Sequence, residues 1–282
     1  MGSISEAPDV TVGVLALQGA FSEHLQLLRQ AEQVLAATTP APPRKWAFLE
    51  VRTEAELASC DALVIPGGES TAISLVAERS NMLDPLRDFV KQARKPTWGT
   101  CAGLILLAES ANRTKKGGQE LIGGLDVRVN RNHFGRQTES FQANLDLDFL
   151  KKSDGGSEAP FRAIFIRAPV VERLLPHMPG VQEGEAKTGE TVIAPSRSTD
   201  QSLISTIGGA EVEVMAILPG RTATLSHEAK EKLDAEAGDI VAVRQANVFG
   251  TSFHPELTGD PRIHTWWLEQ VIDAVEKRRA LA

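Results

Sequence analysis

Residues 10–17 (VTVGVLAL) and 62–65 (ALVI) are apolar runs, each followed within two positions by a glycine. Strands buried on both faces of a parallel sheet have this pattern. After the first run, apolar residues recur at helical spacing, at Phe21, Leu25 and Leu28. A third run, residues 96–100, leads into an apolar helix predicted at 104–108. Strands that alternate with helices predict an α/β fold, with a mostly parallel central sheet and helices on both faces.

The second half of the chain is predicted to be richer in strands. Candidates are residues 125–129, 141–147, 163–166, 212–218, 240–243 and 248–253, and an amphipathic helix at 262–277 closes the chain. No shift in composition marks a boundary, so we expect one three-layer domain over residues 1–282. Two stretches are expected to be surface insertions, at about 36–48 and 182–209. The first is rich in proline between 36 and 44 and should be irregular there.

The composition excludes several classes of function. The chain has 282 residues, 42% of them hydrophobic, and a net charge of −7. The negative charge argues against a nucleic acid or an anionic membrane surface as the main partner. No apolar run approaches the roughly 20 residues that a membrane helix requires. Two cysteines, Cys60 and Cys101, cannot build a disulfide framework, so we expect a cytoplasmic, reducing location. We expect Cys60 to be a packing residue.

Residues 99–103 (GTCAG) place a cysteine between a predicted strand and a predicted helix. A nucleophile on a sharp strand-to-helix turn needs small neighbours, and Gly99 and Gly103 satisfy this requirement around Cys101. The helix N-terminus favours the thiolate, and the Ala102 backbone N–H is a candidate oxyanion donor. A buried structural cysteine at a tight turn is the alternative.

Residues 254–256 (HPE) follow the apolar run 248–253. In an extended chain His254 and Glu256 point the same way. A carboxylate beside an imidazole fixes its tautomer and stabilises the imidazolium. Alone, the tripeptide also fits a surface His–Glu pair. Together with Cys101 it predicts a Cys-His-Glu triad.

Residues 66–70 (PGGES) directly follow the strand predicted at 62–65. Open α/β sheets bind ligands at this end of their strands, and glycines allow close approach of the backbone. The Gly68 N–H is therefore a second candidate oxyanion donor. A phosphate-binding loop is disfavoured, because neither a Lys-Ser/Thr pair nor a G-x-G-x-x-G pattern follows.

Together with three further segments, these motifs resemble the glutaminase subunits of pyridoxal 5'-phosphate synthase. That family belongs to the class I, triad-type glutamine amidotransferases. The further segments are residues 13–25 (GVLALQGAFSEHL), 127–137 (VRVNRNHFGRQ) and 165–169 (FIRAP). The resemblance covers most of the chain, in the same order, apart from the two insertions and the extreme termini.

The resemblance implies a role for each motif. Cys101 would be the nucleophile, His254 its base and Glu256 the group that orients the base. The glutamine site implied by the family is Gly68, Glu69, Ser70, Arg131, Ile166 and Arg167. An arginine can pair with the α-carboxylate and Glu69 with the α-ammonium; either arginine could do so, and each could instead be a structural ion-pair partner.

The resemblance also implies partners. The substrate would be L-glutamine, and the ammonia would pass to a synthase subunit in a large hetero-oligomer. No cofactor is implied, and the histidines show no metal-ligand spacing. The loop around Gln18 would face the synthase.

Three other functions were weighed. A triad amidotransferase of histidine or purine synthesis shares GTCAG and HPE but not the further segments. A cysteine hydrolase or peptidase of α/β type is disfavoured, because relatives of that type place the acid before the histidine. A non-catalytic scaffold would not need all three triad residues.

His24 lies one helical turn after the Gln18 loop, so it is expected either to take part in facing the synthase or to be a surface or capping residue. Trp266 and Trp267 are expected to pack the last helix against the sheet.

Overall fold

The computed structural model describes residues 7–38, 44–112, 119–131, 140–152, 157–178, 191–199, 211–218 and 240–281. Within these ranges the strands are β1 (Val10–Leu15), β2 (Trp46–Val51), β3 (Ala62–Ile65), β4 (Thr97–Thr100), β5 (Ala108–Asn112), β6 (Leu125–Asn130), β7 (Ser140–Leu145), β8 (Phe161–Ile166), β9 (Val170–Leu174), β10 (Thr191–Ile193), β11 (Glu213–Ile217), β12 (Ile240–Gln245) and β13 (Val248–Thr251).

The helices of the described residues are α1 (Phe21–Thr38), α2 (Glu54–Ala58), α3 (Ser70–Arg79), α4 (Leu83–Arg87), α5 (Ala102–Leu107), α6 (Asp148–Lys151) and α7 (Arg262–Leu281). A π-helical turn at Asp88–Gln92 continues α4, and a 3₁₀ turn at Pro255–Leu257 follows β13.

One large sheet contains every described strand except β7 and β8, which form a separate antiparallel pair. Its order is β10-β5-β6-β9-β12-β13-β4-β3-β1-β2, with β11 paired to β12. The half from β13 to β2 is parallel throughout, as predicted for the central strands. Because parallel strands end at the same edge of a sheet, the segments after β3, β4 and β13 meet there.

The two faces of the sheet are buried by different helices. On β3, Leu63 and Ile65 point into a core shared with α3, α4 and α5. The alternate residues, Ala62 and Val64, point into a second core shared with α1 and α7. This alternation places both faces of the central strands in apolar cores. The predicted three-layer α/β fold is confirmed.

The second core is rich in aromatic side chains. Trp98 on β4 is fully buried and lies 5.7 Å, between ring centroids, from both Phe249 and Trp267. Trp266 contacts Phe249 at 4.9 Å. The two tryptophans of α7 thus pack this helix against the sheet, as expected.

The structure corrects several boundaries. The stretch 36–48 was expected to be an insertion, irregular at 36–44, and residues 39–43 of it lie outside the described residues. Within the described part, α1 continues to Thr38, and β2 begins at Trp46 and pairs with β1. The prolines at 40, 42 and 43 precede this strand and do not interrupt it. Strand β10 pairs with β5 within the stretch 182–209, of which 182–190 and 200–209 lie outside the described residues.

Two short strands were not predicted. Ala108, expected to end an apolar helix, begins β5, and β9 follows the FIRAP segment. Both are too short to establish a clear apolar period. Among the described residues, no helix combines the length and the apolar character that crossing a bilayer requires.

Replacing Leu28 by alanine tests the second core. Leu28 is fully buried on α1 and belongs to the core that α1 and α7 share. We expect Leu28→Ala to lower the free energy of unfolding by about 2–5 kcal/mol, because it removes buried methyl groups and leaves a cavity. Urea unfolding measures this.

The exposed Gln26 on the same helix is the matched control. Gln26→Ala should change the stability by less than about 0.5 kcal/mol. Equal effects of the two substitutions would contradict the assignment of α1 to the core.

Candidate active site

Cys101 lies at the turn between β4 and α5. Its backbone φ is 48°, in the left-handed region, which costs a residue other than glycine about 1–3 kcal/mol. Its N–H donates to the Thr251 carbonyl at 2.7 Å, and its carbonyl accepts from Ile105 in the first turn of α5. The strained turn is therefore held by the neighbouring strand β13 and by the helix that follows, as in the predicted nucleophile elbow.

The two glycines of GTCAG allow this turn to form. A Cβ at Gly103 would lie 2.1 Å from the Ile65 carbonyl oxygen, and one at Gly99 would lie 2.5 Å from the Gly103 carbonyl carbon. Both contacts are with backbone atoms, which cannot move aside without displacing β3 or α5. The small neighbours predicted from the sequence are thus required by close approach.

His254 and Glu256 follow β13 and are both buried. The His254 backbone N–H donates to the Ile164 carbonyl at 2.8 Å. Its Nδ1 lies 2.7 Å from Glu256 Oε1. Since an ionised carboxylate only accepts hydrogen bonds, the proton of this contact is on Nδ1, which leaves Nε2 for a second partner.

The pKa values of this pair favour its charged forms. Burial lowers the pKa of His254, but hydrogen bonds with Cys101 and Glu256 outweigh it and raise the pKa to about 10. Burial raises the pKa of Glu256, but the nearby imidazoles of His24 and His254 outweigh it and lower the pKa. At neutral pH, His254 is therefore an imidazolium next to the Glu256 carboxylate.

The PGGES loop lies against the imidazole. A Cβ at Gly67 would be 2.4 Å from Cε1 of His254. The Gly67 carbonyl accepts from the Ala20 N–H at 3.0 Å, and the Glu69 N–H donates to Gln18 Oε1 at 2.9 Å. The loop before α1 thus fixes the position of Gly68, one of the two predicted oxyanion donors. The other, Ala102, is the first residue of α5, where helical N–H groups lack a partner within the helix.

Three of the predicted glutamine-binding residues lie together at the start of α3. Glu69 caps this helix through Thr71 N and Ala72 N, and its side chain is 55% exposed. Arg131 Nη2 donates to Ser70 Oγ at 3.1 Å and to Thr71 Oγ1 at 2.9 Å, and it lies 4.0 Å from Glu69 Oε1. The polar groups needed at both ends of an amino acid thus converge here.

The other two approach from the end of β8. The Ile166 carbonyl oxygen lies 4.0 Å from Cys101 Sγ. Arg167 is exposed and has a φ of 44°, so the chain turns sharply directly after Ile166. Residues 132–137 of the segment VRVNRNHFGRQ lie outside the described residues.

Two histidines behind the triad were not predicted as part of the site. His24 and His264 are fully buried, so the expectation of a surface or capping role for His24 is wrong. A signal was present, because His24 lies four residues before Leu28 and His264 four before Leu268, each on the apolar stripe of its helix.

Cys60 does not belong to this site. It is buried beside Gly13, and burial raises the pKa of its thiol to about 11. It is a packing residue, as expected. Within the described part of the chain, no group of three or more His, Cys, Asp or Glu side chains could hold a metal ion.

An α/β sheet with a strained cysteine at one strand end, and a buried His–Glu pair after the neighbouring strand, fits the class of the glutamine amidotransferases. A solved structure described as a glutamine amidotransferase matches with a TM-score of 0.59 and 33% identity, covering 92% of this chain and 98% of its own. The model of the SNO glutamine amidotransferase family matches residues 14–206 and 198–273.

Curated relatives agree with this match. The pyridoxal 5'-phosphate synthase subunit PdxT of Streptomyces avermitilis is 40% identical, over 92% of this chain and 93% of its own. The probable pyridoxal 5'-phosphate synthase subunit PDX2 of Arabidopsis thaliana is 38% identical, over 92% of this chain and 85% of its own. The chain belongs to the SNO glutamine amidotransferase family.

The two buried histidines predict that stability falls in mild acid. Burial lowers the pKa of both His24 and His264 to about 3, against an ordinary value of 6.5. Below pH 6.5 the unfolded chain therefore binds protons that the folded protein does not. The stability is fully present above pH 6.5 and is lost as the pH falls towards 3, with a slope approaching about 1.4 kcal/mol per pH unit for each histidine.

Urea unfolding between pH 7 and pH 5 measures this slope. His264→Leu removes one of the two histidines, so the difference between the wild type and this variant isolates a single titration. A variant whose stability varies with pH as steeply as that of the wild type would contradict the assignment.

Proposed function

We propose that this chain is the glutaminase subunit of a pyridoxal 5'-phosphate synthase, which hydrolyses L-glutamine to L-glutamate and ammonia. One observation carries the proposal: buried His254, whose Nδ1 lies 2.7 Å from Glu256 Oε1, interacts electrostatically with Cys101, at the end of the neighbouring strand β4. The relatives named as subunits of that synthase support the choice of pathway.

The first half of the reaction forms a thioester. The Cys101 thiolate attacks the side-chain carboxamide carbon of glutamine, and the N–H groups of Gly68 and Ala102 stabilise the oxyanion. The His254 imidazolium, stabilised by Glu256, donates its proton to the departing nitrogen, and ammonia leaves. His254 is then neutral and the γ-glutamyl group is bound to sulfur.

The second half regenerates the enzyme. Neutral His254 takes a proton from water, which attacks the thioester carbonyl at the same oxyanion site. Collapse of the intermediate releases glutamate and restores the thiolate beside the imidazolium. Each step uses the one proton that His254 carries, so Glu256 need not be protonated at any stage.

The remaining predicted residues bind the amino-acid end of glutamine. We assign Glu69 to the α-ammonium, and Arg131 or Arg167 to the α-carboxylate. Ser70 supports Arg131 through its hydroxyl, and Ile166 borders the sulfur. This arrangement leaves the side-chain amide directed at Cys101.

Ammonia that leaves the site is useful only if a second protein captures it, so we propose a synthase subunit as partner in a large hetero-oligomer. Glutaminase activity is expected to be low until the synthase docks. Docking of the synthase can change the conformation of the Gly67–Gly68 peptide, because glycine adopts positive φ at little cost. The peptide could then turn its N–H towards the oxyanion.

The proposal assigns residues 1–282 to one glutaminase domain, since strands from both halves of the chain share a sheet. We place its activity in the cytoplasm, where a catalytic thiol stays reduced. Both cysteines are free.

Removing the nucleophile tests the chemistry. We expect Cys101→Ala to abolish glutamate release in the presence of the synthase subunit, because no thioester can form. Cys60→Ala is the matched control, since it removes a buried thiol that lies outside the site. Full activity of Cys101→Ala would remove this cysteine from the mechanism, and thermal unfolding checks that both variants are folded.

The partner is tested by measuring glutamate release with and without the synthase subunit. We expect the rate to rise at least tenfold on addition of the synthase, about the size of a single coupling of 1–3 kcal/mol. Equal rates would contradict activation by docking. Incorporation of the released ammonia into a product made from a pentose phosphate distinguishes this pathway from other amidotransferases.

A further inference from the structure

A chain of buried polar groups continues from the triad into the core. Glu256 Oε2, on the side of the carboxylate away from His254, lies 3.5 Å from His24 Nε2. The same nitrogen lies 3.2 Å from Thr100 Oγ1. On the other side of the ring, His24 Nδ1 lies 3.0 Å from His264 Nε2. His24, His264 and Thr100 are fully buried, so no water competes for these contacts.

The carboxylate determines where the protons of this chain lie. With pKa values lowered to about 3 by burial, His24 and His264 are neutral and each carries one ring proton. Because Glu256 can only accept, the proton of His24 is on Nε2, shared between Glu256 and Thr100. His24 Nδ1 then accepts from His264 Nε2–H.

His264, the last of these buried polar groups, agrees with this assignment. His264 Nδ1 is left without a proton, and among the described residues it has no hydrogen-bond partner. A buried acceptor without a partner is tolerated more readily than a buried N–H without one. With the opposite tautomers, His264 Nδ1 would carry a buried N–H without a partner among the described residues, and the Nε2 lone pair of His24 would face the Glu256 carboxylate.

We propose that His24 is a positioning residue of the glutaminase site, which through its Nε2–H keeps Glu256 ionised and directed at His254, and so sustains the imidazolium beside Cys101. The inference rests on the proposed triad. Glu256 Oε2 has no hydrogen bond of standard geometry among the described residues, and His24 Nε2 lies 3.5 Å from it.

The groups that face Glu256 come from three elements. His254 belongs to the segment after β13, His24 to α1, and Thr100 to β4, which reaches Glu256 only through His24. His264 on α7 contacts His24 but not the carboxylate. Cys101 lies beyond His254. Loss of His24 therefore removes the imidazole that lies beside Glu256 Oε2.

Loss of His24 should make Cys101 less reactive at low pH. Without the His24 donor, the carboxylate is less stable, the imidazolium of His254 is less stable, and a higher pH is needed to form the Cys101 thiolate. The acid limb of thiolate reactivity should move up by up to about one pH unit, because a contact of 3.5 Å is weaker than a standard hydrogen bond to a charged group.

The experiment follows alkylation of Cys101 by iodoacetamide in the full-length chain, between pH 5 and pH 9, with mass spectrometry resolving it from Cys60. His24→Leu removes the donor, and His264→Leu removes an equally buried histidine that does not contact Glu256. His24→Gln and His24→Asn form a second pair: the glutamine amide reaches the position of Nε2, whereas the asparagine amide reaches only that of Nδ1. This pair decides the matter if His24→Leu does not fold.

We expect the acid limb to move up in H24L and H24N, and to stay near that of the wild type in H24Q and H264L. In the complex with the synthase, H24N should lower kcat by up to about tenfold at pH values on the acid limb, and should leave KM unchanged because His24 does not touch glutamine. Equal shifts in H24L and H264L, or coincident profiles of H24N and H24Q, would overturn the proposal. Wild-type Cys101 reacting no faster than Cys60 would instead reject the proposed triad.

Discussion

The parallel pairing of β4 with β13 is the constraint on which the site depends. Thr100 and Thr251 are register partners, and the Cys101 N–H continues that ladder by donating to the Thr251 carbonyl. The two strands are about 150 residues apart in the sequence (97–100 and 248–251), yet they end at the same height in the sheet. The sulfur and the imidazole therefore meet because of backbone register, and their side chains need only complete the contact. A shift of one residue in this ladder would turn every side chain of one strand to the opposite face.

Burial then decides the electrostatics. The His–Glu pair lies between a sulfur on one side and apolar core on the other, where an unpaired charge would be very costly. The structure meets this cost by placing His254 at 2.7 Å from one oxygen of Glu256 and His24 at 3.5 Å from the other. The neutral imidazoles behind the carboxylate supply dipoles without adding a charge, which would itself need a partner. The buried Glu256 carboxylate thus determines which ring nitrogens of His24 and His264 carry protons, in the core beneath α1 and α7.

The sequence was sufficient for the parallel strands β1, β3, β4 and β13 and for the motifs, for a common physical reason. Strands such as β3 are buried on both faces and must be apolar throughout, and Gly99 and Gly103 are dictated by backbone atoms within 3 Å. Such requirements fix the residue types within a short segment, so they can be recognised in the sequence. The strand β2 was missed because prolines precede it, and β9 because it is short and lies between antiparallel neighbours that only the fold brings together. The roles of Glu69, Arg131 and Arg167 in binding glutamine stay predictions.

His24 shows why the residues behind the triad are harder to predict from the sequence. Its ring meets Glu256, Thr100 and His264, which lie 232, 76 and 240 residues away in the chain. The apolar stripe of α1 indicates that His24 is buried, but nothing in the sequence around it indicates Glu256, because that partner belongs to a distant segment of the chain. Residues that touch substrate are held in motifs, since a strained turn or a glycine contact constrains several neighbours at once. Residues that act through a triad residue, as we propose for His24, constrain only that partner. They can therefore be recognised only in the folded structure.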